Sequence, residues 1–530
     1  VDNKILLRDY QKRFFESSLS EFKNEKIKAY EFGDIYDKNR TKAFIDKLLI
    51  HKIEVYEKDD KFIVPVNQLQ SRMVKNFFET HDKYLDSVFY DASAWSVSNF
   101  YNMKHKAVRS FDVNKLTRVI NDMQVDNPKV SKSNYAYILD WDDYNTPAAL
   151  NHLHKNEVIS YSAYKPFSIK VNEDNNVKSF NRGTVMVPVS KQKVDSEKLF
   201  EVVKSTQEKF NLPVFSTETG YSSSGIDLGS NFFRINKKVK VAMLIGDGIS
   251  SYESGEVWHL LDTRVHIPLT KIRLNQFNRT SLDKYTTLVM VSGTYGQISE
   301  KDIKKIKDWV SKGNTLVTIG SASSWAIKKE IVSESLVETK KDSVFSRKRY
   351  IDAREYIGRE AIGGSILSVD LDLTHPLAFG YRDKSIPVYK NNNVFLSKSE
   401  SQYSSVALYS KEPHIDGYIS KNNMEKNIKG SASLIVSSIG SGRVVLFADN
   451  PNFRGTWYGT NKLFLNAIFF SLSLFKVSLN SLNPNISLII LKISVESPLL
   501  VKNMPEPFGI LYIMMYFSLT LSISISILLI

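Results

Sequence analysis

The chain has 530 residues; at about 100–200 residues per domain, two to four domains are expected. Hydrophobic residues make up 42% and charged residues 24%, the balance of a globular protein able to bury large cores. The absence of cysteine excludes disulfide scaffolds, thiolate-held zinc, iron–sulfur clusters and a thiol nucleophile.

Lys and Arg total 71 against 57 Asp and Glu, a net charge of +14. A nucleic-acid binder would gather such charge on one face. Here the lysines are spread along the chain. The knot Lys301-Asp302-Ile303-Lys304-Lys305-Ile306-Lys307 sets Ile303, Ile306, Trp309 and Val310 at helical spacing. It reads as a solvated helix face, and no nucleic-acid partner is expected.

The chain opens Val1-Asp2-Asn3-Lys4, with no basic segment followed by an apolar one. Val1 therefore reads as a mature terminus or a truncation. Residues 28–32 predict a strand, 42–49 a helix, 53–56 and 62–65 short strands, and 68–79 a helix. The alternation continues through 135–139, 148–153, 183–189, 199–210 and 213–216. Such a beat predicts an α/β layer fold with a mainly parallel sheet.

A second unit starts near Lys238. Val239–Ile245 is a near-continuous apolar run, as expected for a strand buried on both faces. Gly246-Asp247-Gly248 and a helix from about Ser254 follow. Residues 286–291, 298–310 and 315–319 repeat the strand–turn–helix pattern, residues from about 345 to 440 read as a strand-rich insertion, and Arg443–Phe447 returns to a core strand before a closing helix over 461–474. The predicted architecture is two successive doubly wound, mainly parallel-sheet α/β units, over 1–237 and 238–475. After Phe475 the composition turns to Ser, Leu, Ile and Asn, and Pro507–Ile530 carries no charge. That stretch is long enough to cross a bilayer, yet Leu521–Ile527 alternates with period two. Residues 476–530 stay open between an aberrant, frameshift-like tail, a membrane anchor and buried structure.

Ligands of open α/β sheets sit at the carboxyl ends of the strands, which marks two groups. Glu253, Glu256 and His259 recur every three residues near a helix start; they read as ligand-binding candidates or as acids compensating a helix dipole beside a packed imidazole. Asp449, Asn450 and Arg454 follow the Arg443–Phe447 strand. Two further features are His375 before Pro376, a turn cap, and Asp140-Trp141-Asp142-Asp143-Tyr144. The latter suits either a helix cap or an acidic and aromatic surface for a sugar or peptide.

Long strings resemble the region C-terminal to the catalytic domain of bacterial zinc carboxypeptidases, the carboxypeptidase A-like metallopeptidase family. They are Asp86–Trp95, Ser224–Ser230, Ser251–Asp262, Asp372–Ala378, and Phe447–Arg454 continuing through Trp457–Asn466. The resemblance spans about residues 5–475. It implies a parent that hydrolyses C-terminal residues of peptides with one zinc, held by His-x-x-Glu and a later His around an open position. It also implies a periplasmic or secreted location, with the parent's N-terminal peptidase domain as a partner.

Within this chain His51-Lys52-Ile53-Glu54, with His152 and His154, is the tempting zinc string. Ile53 and Val55 alternate with Glu54, so it enters a strand and its two ligands would face opposite ways. The resemblance also places it after the catalytic domain. No cofactor is expected in this chain, zinc only in the peptidase domain.

The second unit also resembles a class I glutamine amidotransferase-like domain, a family using a Cys on a strand-to-helix elbow and a later His-Pro-Glu. Here the elbows read Ser292-Gly293-Thr294 and Gly320-Ser321-Ala322, and the later triplet is Asn450-Pro451-Asn452. Nucleophile, base and orienting carboxylate are absent from the matching positions. The expected role is a non-catalytic scaffold or ligand-binding region; a stand-alone peptide or glycan module and a hydrolase using Ser321 or Ser292 are the alternatives.

Overall fold

The computed structural model describes residues 3–23, 25–83, 95–172, 176–338 and 349–471. After α1 (Lys4–Phe22) come β1 (Ala29–Phe32), α2 (Lys38–Ile50), β2 (Val55–Lys58), β3 (Lys61–Pro65), α3 (Ser71–Phe78), α4 (Val97–Phe100), β4 (His105–Val108) and β5 (Thr117–Val119). The Asp37 carboxylate caps α2 by accepting the Arg40 N–H. The helix then buries Phe44, Ile45 and Leu48, with Phe44 edge-on to Phe32 of β1 at 5.1 Å between centroids. The sheet order is β4-β1-β3-β2-β5 and every pairing is antiparallel.

Next are β6 (Ala136–Leu139), α5 (Thr146–Lys155), β7 (Tyr161–Ala163), β8 (Phe167–Val171), β9 (Asn176–Phe180), β10 (Val185–Pro188), α6 (Ser196–Phe210), β11 (Val214–Thr217), β12 (Ser224–Gly225) and β13 (Phe233–Ile235). They form a five-stranded sheet, β11-β6-β10-β7-β13, and a three-stranded one, β12-β8-β9, again antiparallel throughout. The parallel sheet expected over residues 1–237 is therefore corrected. The β2–β3 connection is only Asp59-Asp60, with Asp59 at φ 54°, and a turn that short can join only antiparallel neighbours. Helix α6 does connect two strands running the same way, but β6 lies between them and pairs antiparallel with both.

The remaining strands are β14 (Val241–Ile245), β15 (Leu269–Arg273), β16 (Thr287–Met290), β17 (Thr315–Ile319), β18 (Ser365–Leu371), β19 (Ser385–Lys390), β20 (Ser405–Asp416), β21 (Ala432–Ile439) and β22 (Gly442–Phe447). They build one nine-stranded mixed sheet, β15-β14-β16-β17-β22-β21-β20-β18-β19. The first five pair parallel. Numbered along the chain, their order is 2-1-3-4-5, an order whose direction of travel switches between β14 and β16. The strand-rich insertion, β18 to β21, continues the same sheet with antiparallel pairing.

Strands β16, β17 and β22 are buried along their whole length, which fits their richness in Val and Leu. The helices accompanying them are α7 (Ser251–His259), α8 (Glu300–Ser311), α9 (Ser321–Lys328) and, after the short α10 (Ala353–Glu360) and α11 (Lys421–Asn423), α12 (Tyr458–Phe469). The lysine knot lies on α8 as expected, with Ile303, Ile306, Trp309 and Val310 buried. One apolar cluster runs from Val130 to Phe470 and joins the second sheet to the nine-stranded one. The cluster of the N-terminal sheet likewise takes in Ile366, Tyr389 and Trp457. Val1–Leu474 is accordingly one compact unit. Among the described residues no helix is long and apolar enough to cross a membrane; the readings of 476–530 fall outside those residues.

Candidate functional site at the carboxyl edge of the parallel strands

Helix α7 begins beyond the carboxyl end of β14, where Ser250 Oγ accepts the Glu253 N–H at 3.2 Å. Its two acids reach across the sheet edge. Glu253 Oε2 accepts the Ser292 N–H at 2.8 Å, just past β16. Glu256 takes Asn450 Nδ2 at 2.6 Å on one oxygen and the Arg454 N–H at 2.5 Å on the other, just past β22. The helix is thus tied to two strand ends by carboxylate–amide bonds, the stronger, charge-assisted kind. Burial raises both carboxyls, Glu256 to about 7, against the opposing hydrogen bonds from Asn450 and Arg454.

A cavity of about 490 Å³ opens here, lined by Tyr252, Glu253, Glu256, Tyr389, Asn450 and Arg454 among others. Arg454 has φ 52°, a left-handed conformation that a non-glycine residue rarely adopts. Its guanidinium lies 5.2 Å from the rings of both Trp95 and Phe453 and makes no ion pair among the described residues. Of the six sequence candidates, Glu253, Glu256, Asn450 and Arg454 line this cavity.

The other two do not. His259 ends α7 as an exposed residue, packed beside Gly455. Asp449 is buried below, where it takes Lys390 Nζ at 3.1 Å, Tyr409 OH at 2.7 Å and Ser433 Oγ at 2.5 Å. Burial pulls the Lys390 ammonium below its ordinary pKa and pushes the Tyr409 phenol above its own. These bonds engage both Asp449 carboxylate oxygens within the protein. Tyr389, Asn391 and Phe453 belong to the cavity lining but were not singled out in the sequence. They lie in the insertion and in a turn, and only the sheet register brings them to this edge.

Both elbows can now be placed. At the β17-to-α9 turn the strained residue is Gly320, with φ 57° and ψ −124°, and not Ser321. Ser321 Oγ accepts the Gly293 N–H at 2.9 Å, and Ser292 Oγ accepts the Ser321 N–H at 3.3 Å. Neither hydroxyl bonds a histidine among the described residues; the titratable side chain beside Ser292 is Glu253, whose carboxyl burial raises. His375 caps the turn at Pro376, its Nδ1 accepting the Leu377 N–H at 3.1 Å.

The zinc string is dispersed: Glu54 pairs with Arg118 at 3.0 Å, His51 packs on Phe77, and His152 packs on Phe210. His154 is buried, which lowers its pKa to about 4. Among the described residues no three His, Asp or Glu side chains are grouped to hold a metal.

No family model matches the chain, and no curated protein matches it. Similar solved structures include a ThuA-like protein from Parabacteroides merdae at 11% identity and TM-score 0.30, covering 46% of this chain and 93% of that one. A glutamine amidotransferase from Thermotoga maritima follows at 13% identity and TM-score 0.26, covering 43% and 81%. A β-galactosidase from Bacillus circulans is similar at 14% identity and TM-score 0.22, covering 42% and 30%. These scores are too low to bear on function.

Proposed function

We propose that this chain is a non-catalytic α/β region that binds a peptide or glycan bearing a carboxylate in the cavity at the carboxyl edge of its parallel strands. The observation supporting this is the pairing state of the cavity wall. Glu253 and Glu256 are engaged by protein N–H groups, whereas the Arg454 guanidinium, 5.2 Å from two aromatic rings, forms no salt bridge among the described residues and meets Glu256 only through longer-range attraction. A guanidinium free to donate two N–H bonds to a carboxylate in fork geometry is a natural anion anchor. Burial raises the Glu256 carboxyl to about 7, so part of the population carries it uncharged near neutral pH, which lessens its repulsion of an anionic ligand.

The resembling strings support a further reading, that the parent is a zinc carboxypeptidase-like protein exported to the periplasm or beyond, with this region packed on its peptidase domain. Sequencing the locus for an upstream in-frame His-x-x-Glu domain tests the parentage.

Binding is tested by thermal unfolding with a short peptide ending in a free carboxylate and its amidated counterpart. Stabilisation by the acid form alone, abolished by Arg454→Ala, is expected. Equal stabilisation by both forms, or a response that survives Arg454→Ala, would contradict the reading.

A further inference from the structure

A second cleft, of about 370 Å³, lies away from the carboxyl edge of the parallel strands. Five segments build it: the turn after β1 into α2, the start of β3 at Lys61, the segment after α4, the acidic loop after β6 and the approach to β19. The acidic loop is the Asp140–Tyr144 motif. Asp143 accepts the Asn145 N–H at 2.8 Å in the turn before α5 and does not cap the helix, whose N-cap is Asn145 with no side-chain cap bond. Asp142 lines the cleft.

Two features mark this as a built site. The loop is wrapped around the buried Lys462 ammonium, which donates to the carbonyls of Trp141 at 2.7 Å and Asp142 at 2.6 Å. Gly380, at φ 79°, lets the opposite wall approach; a Cβ there would lie 2.8 Å from the Trp141 carbonyl. The loop is therefore rigid before any ligand arrives. Second, the Asp142 side chain is 2% exposed, and while Oδ2 accepts Arg382 Nε at 2.5 Å, Oδ1 has no hydrogen-bond partner. Buried polar atoms nearly always have partners, so an orphaned carboxylate oxygen at a cleft wall points to a missing donor.

The charges of the cleft indicate what brings that donor. Arg382 is matched with Asp142, Arg40 with Asp34 at 2.6 Å, and Lys104 with Asp383 at 2.5 Å. Asp37 shares Arg40 at 3.4 Å and the exposed Lys61 is a further cation, so the lining sets four cations against four acids and a charged ligand would upset that balance. Hydroxyl groups both donate and accept, and fit the valences the pairs leave over. Tyr36, half-exposed and with Arg382 stacked 3.6 Å from its ring, adds an amphipathic wall. The cleft volume falls within the range of small-molecule sites, about 300–1,000 Å³. Burial, with the neighbouring Asp140, raises the Asp142 carboxyl to about 7, in keeping with an oxygen that lacks donors.

We infer that this cleft is a binding site for a neutral sugar, with Asp142 accepting a ligand hydroxyl and Tyr36 and Arg382 forming the facing wall. The test is saturation-transfer NMR and calorimetric titration of the full chain with glucose, galactose, mannose and N-acetylglucosamine, and with glycine and lysine as charged probes. At least one sugar is expected to bind, with affinity falling at least tenfold in Asp142→Asn and in Tyr36→Ala. The exposed Tyr36 position keeps the test informative if the Asp142 variant does not fold. A saturating carboxylate peptide is expected not to displace the sugar, because its cavity is a different one; displacement would move the sugar to that cavity and overturn this assignment. Absence of sugar binding, binding unchanged in both variants, or binding of the charged probes alone would also overturn it.

Discussion

Glu256 holds two protein N–H donors and is nevertheless pushed up to about 7, because burial outweighs the bonds that favour its charge. The consequence for stability follows from counting protons. Between the ordinary glutamate value of 4.5 and about 7, the folded chain keeps a proton that the unfolded chain has released. Raising the pH through that window removes it at the expense of the folded state, so stability falls as pH rises, by at most about 1.4 kcal/mol for each pH unit crossed. Urea unfolding at pH 5 and pH 8 should therefore show a smaller pH-dependent loss in Glu256→Gln than in the parent chain. An unchanged slope would mean that Glu256 does not titrate in this range. Of the site at this scale, the sequence made legible the residues that follow strand ends: Glu253, Glu256, Asn450 and Arg454. Placing His259 and Asp449 correctly needed more than spacing. Asp449 is one residue from Asn450 yet points into a buried network, because the insertion supplies Lys390 and Tyr409 beneath it.

Among the elements, the β17-to-α9 turn is the sharpest. Gly320 sits at φ 57° and ψ −124°, where a side chain is strained, and an added Cβ would collide with Ser292 Oγ. Gly430 gives the comparison, with φ 79° but nothing within 4 Å of a Cβ. Gly430→Ala should cost about 1–2 kcal/mol, the ordinary left-handed penalty, and Gly320→Ala clearly more. Denaturant titration of the two variants measures the difference, and equal costs would show that the elbow has room. Most strands and helices were legible because period-two and period-3.6 patterns follow from side-chain direction alone. Strand partners were not. The alternating beat of residues 1–237 suggested parallel pairing, yet the tight β2–β3 turn and the placement of β6 between β10 and β11 made every pair antiparallel.

The whole chain up to Leu474 is held together by cores that cross the sequence divisions. Trp457, fully buried before α12, stacks on Phe100 at 5.1 Å and leans on Tyr389 at 5.5 Å. It joins the apolar cluster of the N-terminal sheet to the nine-stranded one. Trp457→Ala should cost about 3–5 kcal/mol and should weaken this coupling. Calorimetry is expected to show one main transition in the parent chain and two separated ones in the variant; a single transition in both would mean that other contacts carry the cooperativity.

The sequence by itself determined that this is a mixed α/β chain without thiol chemistry. It also determined that Thr315–Ile319 and Arg443–Phe447 are core strands and that polar residues gather just beyond the latter. Those properties follow from composition and local periodicity, which each segment carries alone. Tertiary structure decided which strands pair and in which direction, since hydrogen bonding between distant segments is not encoded in the period of either one. It also decided that Arg454 stands over a cavity with no salt bridge among the described residues and that Asp142 keeps an orphaned oxygen among four other segments. Whether a charged group finds a partner depends on what the fold brings within about 3 Å of it, and no single segment specifies that.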